Sequence, residues 1–171
     1  MKLTIGLALA TTLALGACAP AEAPAPPPEA VVESPPAPIA PGLTWAISAT
    51  GEGNVLLLTD AAGAPVLRLG CLRNPAVMTL VVEGFTPISS EDRLTVGLDD
   101  ELFVFVADLR TSRNTGVVAE APVSADFLER LQTTSAVSAV YGAQQVGPYM
   151  PPPSDVAAGF AAECRRAVSV S

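Results

Sequence analysis

The sequence contains no histidine, and its only lysine is Lys2. Without histidine, the Ser-His-Asp and Cys-His arrangements that activate nucleophiles are excluded, and so are most hydrolytic metal centres. Without a lysine beyond Lys2, Schiff-base chemistry and the lysine of a phosphate-binding loop are excluded as well. These absences predict a protein that is not an enzyme and that holds neither a cofactor nor a metal.

Positive charge is also scarce. Lys and Arg together number 9 against 17 Asp and Glu, which gives a formal net charge of -8. A chain of this charge repels the phosphates of nucleic acids and of anionic lipids, so no nucleic-acid partner is predicted.

Apolar residues make up 50% of the sequence, which is enough for one domain with a buried core.

The first 17 residues are predicted to be a signal peptide. They carry one basic residue, Lys2, near the start. An apolar run follows that is shorter than the roughly 20 residues needed to span a bilayer. The next motif, Leu15-Gly16-Ala17-Cys18, resembles the lipobox of bacterial lipoproteins. The resemblance implies that Cys18 becomes the acylated N-terminal residue and anchors the protein in a membrane. Ala19 stands where an aspartate retains lipoproteins at the inner membrane in the enterobacterial pattern, so the resemblance implies the outer membrane, with the domain facing the periplasm.

Residues 18–41 are predicted to comprise the lipidated Cys18 and a linker rich in proline and alanine. Nine prolines lie between Pro20 and Pro41, so neither a helix nor a strand ladder can propagate there. An extended, polyproline-like chain is expected, with a reach of up to roughly 70 Å. A docking motif for a proline-recognising module is the alternative, but no basic residue flanks the prolines.

Residues 42–171 form the predicted globular domain. Its alternating apolar residues and its turn signals predict a mainly β (α+β) fold, an antiparallel β-sandwich or a bent sheet of about seven strands with two late helices. Asp99-Asp100 is predicted to be the turn of a hairpin, with Phe103 and Phe105 on one face of its second strand. Ser124 is expected to cap the first helix and Ser154 or Asp155 the second, after a segment broken by Gly142 and several prolines.

Three cysteines are an odd number for an exported chain. If Cys18 carries lipid, Cys71 and Cys164 remain, and both fall on predicted inward faces. An oxidising compartment favours a structural disulfide between them, and two buried free thiols are the alternative. A redox or metal role is not expected, because the pair lacks Cys-x-x-Cys spacing and the chain has no histidine.

The domain also resembles a periplasmic family associated with type VI secretion systems. The resemblance covers about residues 43–168 and rests on Leu67-x-Leu-x-Cys71, a later charged hairpin and Phe160-x-x-x-Cys164. The tryptophan expected near the hairpin in that family is absent from residues 93–108. The resemblance implies a β-rich fold tied by a disulfide, and no functional residue is carried over.

Three functional hypotheses fit these features. The first is a non-catalytic envelope lipoprotein that binds a protein or peptidoglycan at the end of its tether. In the second, Asp99-Asp100-Glu101 binds calcium or supplies an acid–base pair for cleaving cell-wall glycan, although a solvated hairpin tip, where Asp favours turn formation, explains these residues better. In the third, the acidic domain inhibits a basic lytic enzyme. The missing catalytic side chains favour the first hypothesis.

Replacing Cys18 with Ser tests the predicted anchor. Since acyl chains on Cys18 would hold the protein on membranes, Cys18→Ser should move it from the sedimented membrane fraction to the soluble fraction. Ala17→Ser, which leaves the cysteine in place, serves as the control. A Cys18→Ser protein that still sediments with membranes would contradict the prediction.

Overall fold

The computed structural model describes residues 42–112 and 116–169, so the predicted signal peptide, Cys18 and the linker lie outside the described residues. The described chain forms nine strands and two helices in the following order: β1 (Thr44–Ala49), β2 (Gly53–Thr59), β3 (Pro65–Leu72), β4 (Val77–Val82), β5 (Arg93–Leu98), β6 (Glu101–Ala107), β7 (Val117–Pro122), α1 (Ala125–Thr133), β8 (Val137–Tyr141), β9 (Gln144–Tyr149) and α2 (Ser154–Ser169). Neither of these helices is long and apolar enough to cross a membrane.

The described strands form one open antiparallel sheet. Their order across the sheet is β1-β2-β3-β4-β7-β6-β5-β8-β9. The mainly β class with two late helices is therefore confirmed. The prediction of about seven strands is wrong, since the described residues contain nine, and the sandwich alternative is wrong because the strands do not divide into two facing sheets.

The core lies on one face of the sheet. Alternate residues of each strand point to the same side, so the period-two apolar pattern places one set of side chains against the helices. We call this the inner face. Its side chains are almost completely removed from solvent, and they include Leu56, Leu58, Leu67, Leu69, Met78, Leu80, Leu94, Val96, Phe105, Ala139 and Tyr141.

Both described helices pack against this inner face. The Ser124 side chain caps α1 as predicted and accepts a hydrogen bond from the N–H of Phe127 at 3.2 Å. The Phe127 ring meets the edges of Phe103 and Phe105 at centroid distances of 5.0 and 5.9 Å. Helix α2 contacts β1, β2, β3 and α1, and its Phe160 is fully buried.

A disulfide joins β3 to α2. It connects Cys71 and Cys164, which lie 93 residues apart in the sequence and 5.4 Å apart between Cα atoms. Both cysteines are buried on the inner face. The covalent bond therefore holds the last helix on the same side of the sheet as α1.

Strand β9 was not expected from the sequence. Gly142, Gly147 and Pro148 interrupt its pattern, and such residues usually weaken a strand. Residues 144–149 nevertheless pair with β8 at the end of the sheet. An edge strand tolerates proline because one of its sides needs no backbone donor.

Reduction of the disulfide should destabilise the domain. Closing a loop of this length contributes on the order of 4 kcal/mol to the free energy of unfolding in the chain-entropy model. Adding a reductant should therefore lower the urea midpoint of the wild-type chain. The midpoint of the double variant Cys71→Ala/Cys164→Ala should not respond, and an equal response in both proteins would contradict a disulfide in solution.

Candidate binding surface

The second face of the sheet is left open by the two helices. We call it the open face, and on β6 it consists of Leu102, Val104 and Val106, which alternate with the inward Phe103 and Phe105. In the described part of the chain, both helices pack on the opposite side, against β1 to β3 and the inward phenylalanines. The open face is thus a sheet surface that neither described helix covers.

Strand β6 carries the most exposed aliphatic side chains of the open face. Leu102, Val104 and Val106 are 71%, 52% and 64% exposed. Val140 of β8, on the same face, is 37% exposed. Strand β6 is paired with β5 along residues 101–106 and with β7 at Val106 and Ala107. A contiguous exposed apolar stripe of this kind marks an interaction surface in soluble proteins.

Two shallow depressions flank the stripe. One, of about 380 Å³, lies between β5, β6 and β8, with Leu102, Val104 and Val140 in its wall and Arg93 and Glu91 at its rim. The other, of about 310 Å³, lies over β2 to β4 and β7. Arg68 lies at the second depression and forms an ion pair with Glu83. The open face therefore offers apolar area with a few charges at its margins.

Sequence reasoning missed the stripe, although a signal for it was present. The run Leu102 to Val106 is apolar at every position, whereas a strand with one solvated face normally alternates with polar residues. The prediction that Phe103 and Phe105 share one face of the strand leaves Leu102, Val104 and Val106 on the other face.

The carboxylates of the predicted hairpin tip take part in contacts between loops. Asp99 adopts a φ of 57° in the turn, which is the left-handed conformation that Asp tolerates better than most residues. Its carboxylate accepts hydrogen bonds from the N–H and Oγ of Ser135, at 3.0 and 2.6 Å, and from the N–H of Ala136 at 3.1 Å. The hydrogen bond from Ser135 holds the pKa of Asp99 below its ordinary value.

A single arginine faces all three consecutive acids of the tip. The Nη2 atom of Arg130 lies 2.7 Å from Asp100 and 3.8 Å from Asp99, and its Nε atom lies 3.9 Å from Glu101. The arginine thus links the tip to α1.

Within the described residues, no group of three or more His, Cys, Asp or Glu side chains is arranged to hold a metal ion. The calcium hypothesis gains no geometric support.

Other residues whose side chains could take part in binding or catalysis have structural contacts or high exposure. Trp45 is 9% exposed, and its Nε1 donates a hydrogen bond to the carbonyl of Met150 at 2.8 Å. Ser112 is buried and donates to the carbonyl of Asp108 at 2.5 Å. Arg110 has a side chain that is 96% exposed, and Arg113 lies outside the described residues.

Comparisons with known proteins give a distant structural neighbour. No protein-family model and no curated protein sequence matches the chain. Among solved structures, the chain is similar to invasion associated protein B from Bartonella henselae, with a TM-score of 0.49 and 12% sequence identity. The similarity covers 77% of this chain and 96% of that one. No functional property follows from a likeness of this extent.

The lowered pKa of Asp99 predicts an acid-sensitive contact. Because the folded-state pKa lies below the ordinary value of 3.8, the charged form stabilises the fold at higher pH, and this contribution is lost as the pH falls through the folded-state pKa. As the pH falls from the ordinary pKa of 3.8 through the lower folded-state pKa, the free energy of unfolding should therefore fall more steeply for the wild type than for Asp99→Asn.

Asp100→Asn is the matched control for this comparison, because it removes the same charge from the neighbouring residue, whose side chain is 87% exposed. Urea unfolding at several pH values gives both curves. A wild-type curve that runs parallel to that of Asp99→Asn would show that the hydrogen bonds from Ser135 do not favour the charged carboxylate.

Proposed function

We propose that this protein is a non-catalytic lipoprotein of the bacterial envelope, and that its domain binds a partner protein through the open face of its sheet. The lipid on Cys18 would hold the protein at the outer membrane, and the proline-rich linker would carry the domain into the periplasm. The function of the domain would then be to capture or position another envelope protein at a distance set by the linker.

The observation that carries this proposal is the aliphatic stripe on β6. Full burial of a Val or Leu side chain is worth roughly 1.5–3 kcal/mol, so leaving three such side chains in water forgoes a large part of the available stabilisation. Leu102, Val104 and Val106 gain that stabilisation when a partner covers them. The stripe is therefore better explained by binding than by folding.

The chemistry of the open face favours a protein over peptidoglycan as the partner. Glycan and peptide stems of the cell wall are polar and need convergent hydrogen-bonding side chains. On the open face around β6, the stripe residues and Val140 are aliphatic, and the charged Arg93 and Glu91 stay at the rim. Such a surface, apolar at its centre and polar at its margin, resembles the general anatomy of protein interfaces.

Site-specific crosslinking in living cells tests the proposal. A photoreactive residue in place of Val104 should give one discrete adduct with an envelope protein, which mass spectrometry identifies. The same residue in place of Val168 is the matched control, because Val168 is an exposed valine on α2, on the other side of the sheet. The adduct should disappear when Leu102→Ser and Val106→Ser are added.

Binding of the identified partner should then be reproduced with purified proteins. We expect the double serine variant to weaken the affinity by at least about tenfold, since tenfold corresponds to only about 1.4 kcal/mol. Its urea midpoint should stay close to that of the wild type, because the two side chains are exposed. Identical adducts from positions 104 and 168, or none from position 104, would refute the proposal.

A further inference from the structure

The pairing of β6 with its two neighbours is unequal. Strand β5 pairs with β6 along six residue pairs, from Glu101 to Val106. Strand β7 pairs with β6 at only two positions, Val106 with Glu120 and Ala107 with Ala119. In the described chain, residues 101–105 therefore have a partner strand on one side only, although β6 lies inside the sheet.

The direction of the neighbouring hydrogen bonds identifies the unpaired backbone groups. The N–H of Ala107 donates to Asp92 on the β5 side at 2.8 Å, and the N–H of Asp108 donates to Val118 of β7 at 2.8 Å. Successive residues of a strand point their backbone groups to opposite sides. The N–H and C=O groups of Leu102 and Val104 therefore point, like those of Asp108, towards the unpaired side.

Pro122 explains why the ladder stops. Extending the register from Val106 and Glu120 by two residues would place Val104 opposite Pro122. Proline has no N–H to donate, so the carbonyl of Val104 could not be paired there. The strands separate at this point, and the edge of β6 is left free.

An apolar cavity of about 270 Å³ lies in the resulting cleft. Met78, Phe103, Phe105 and Phe127 are among the residues that line it, and Ala121 and Pro122 lie on the β7 side. The cavity borders the free edge, since Val104 is also part of its lining. Its size and lining suit one large aliphatic or aromatic side chain that enters from an added strand, because alternate side chains of a strand point to the same face.

Acidic side chains surround the cleft. Glu101 at the start of β6 and Asp126 and Glu129 on α1 line an adjoining depression, in which Arg130 is the one cationic side chain among the described lining residues. That arginine is already hydrogen-bonded to Asp100 at 2.7 Å. Glu120, at the other end of the cleft, is exposed. The local charge is therefore negative at both ends, as is that of the whole chain, and it complements Lys or Arg.

From these features we infer that the partner contributes an extended segment that adds as a strand to the free edge of β6. This segment places one large apolar side chain in the cavity and carries Lys or Arg on both sides of it. Strand addition of this kind uses main-chain hydrogen bonds for affinity and a side-chain pocket for specificity. The inference deepens the proposed function and rests on it.

A capped peptide, Arg-Thr-Val-Thr-Phe-Thr-Val-Thr-Arg, is the probe. Its binding to the full chain in mild detergent is followed by fluorescence anisotropy of a terminal label. The counterpart with Glu at both ends should bind at least about tenfold more weakly. In the protein, Ala121→Leu should fill part of the cavity and weaken binding, whereas Ala62→Leu, in the exposed turn before β3, should not.

N-methylation of the peptide distinguishes strand addition from simple apolar contact. Methyl groups on the Val and Phe nitrogens block one edge of the extended peptide, and methyl groups on the Thr nitrogens block the other. Only one of the two peptides should lose binding by about tenfold or more, because a strand that adds to a sheet pairs through only one of its own two edges. Equal losses, or no loss in either peptide, would overturn the inference.

The outcomes separate the inference from the proposed function. If no peptide binds but crosslinking from position 104 still identifies a partner, strand addition is wrong and the binding face stands. If crosslinking fails as well, the proposed function is wrong too. A chain that dimerises without peptide, and loses the dimer with Ala121→Leu, would assign the edge to a second copy and also overturn the inference.

Discussion

The packing of both described helices on one face of the sheet is the constraint on which the rest of the structure depends. The Cys71–Cys164 disulfide ties α2 to β3, and Phe127 of α1 packs between Phe103 and Phe105. With one face closed in this way, the period-two alternation of every strand directs its other side chains towards solvent. The chemistry of that second set of side chains therefore decides what the domain can bind.

Two departures from a regular antiparallel sheet coincide at β6. Its outward side chains are aliphatic, and its ladder with β7 ends after two residue pairs where Pro122 would face Val104. Either feature alone has a modest cost in stability. Together they place an apolar stripe, a free backbone edge and an apolar cavity within one strand, beside several carboxylates. A domain with these features is suited to holding an extended, basic segment of another protein.

Local patterns in the sequence predicted much of the fold. The hairpin at Asp99-Asp100, the cap at Ser124 and the two late helices depend on neighbouring residues, and the structure has each of them. The binding surface could not be predicted in the same way. Pro122 can be read from the sequence. Its effect, however, follows from the strand register, which would place it opposite Val104, 18 positions earlier in the chain. Strand β9 was missed because its edge position, which makes Pro148 tolerable, is a property of the whole sheet.

Amide hydrogen exchange along β6 tests the central claim, that this strand has a free edge. Exchange is slow for amides in stable ladders and fast for amides without a partner. In the chain without a bound partner, we expect the exchange rates of successive amides to alternate. The amides of Phe103 and Phe105, which face β5, should be protected, and those of Leu102 and Val104 should exchange rapidly. Uniform protection along all four residues would contradict it.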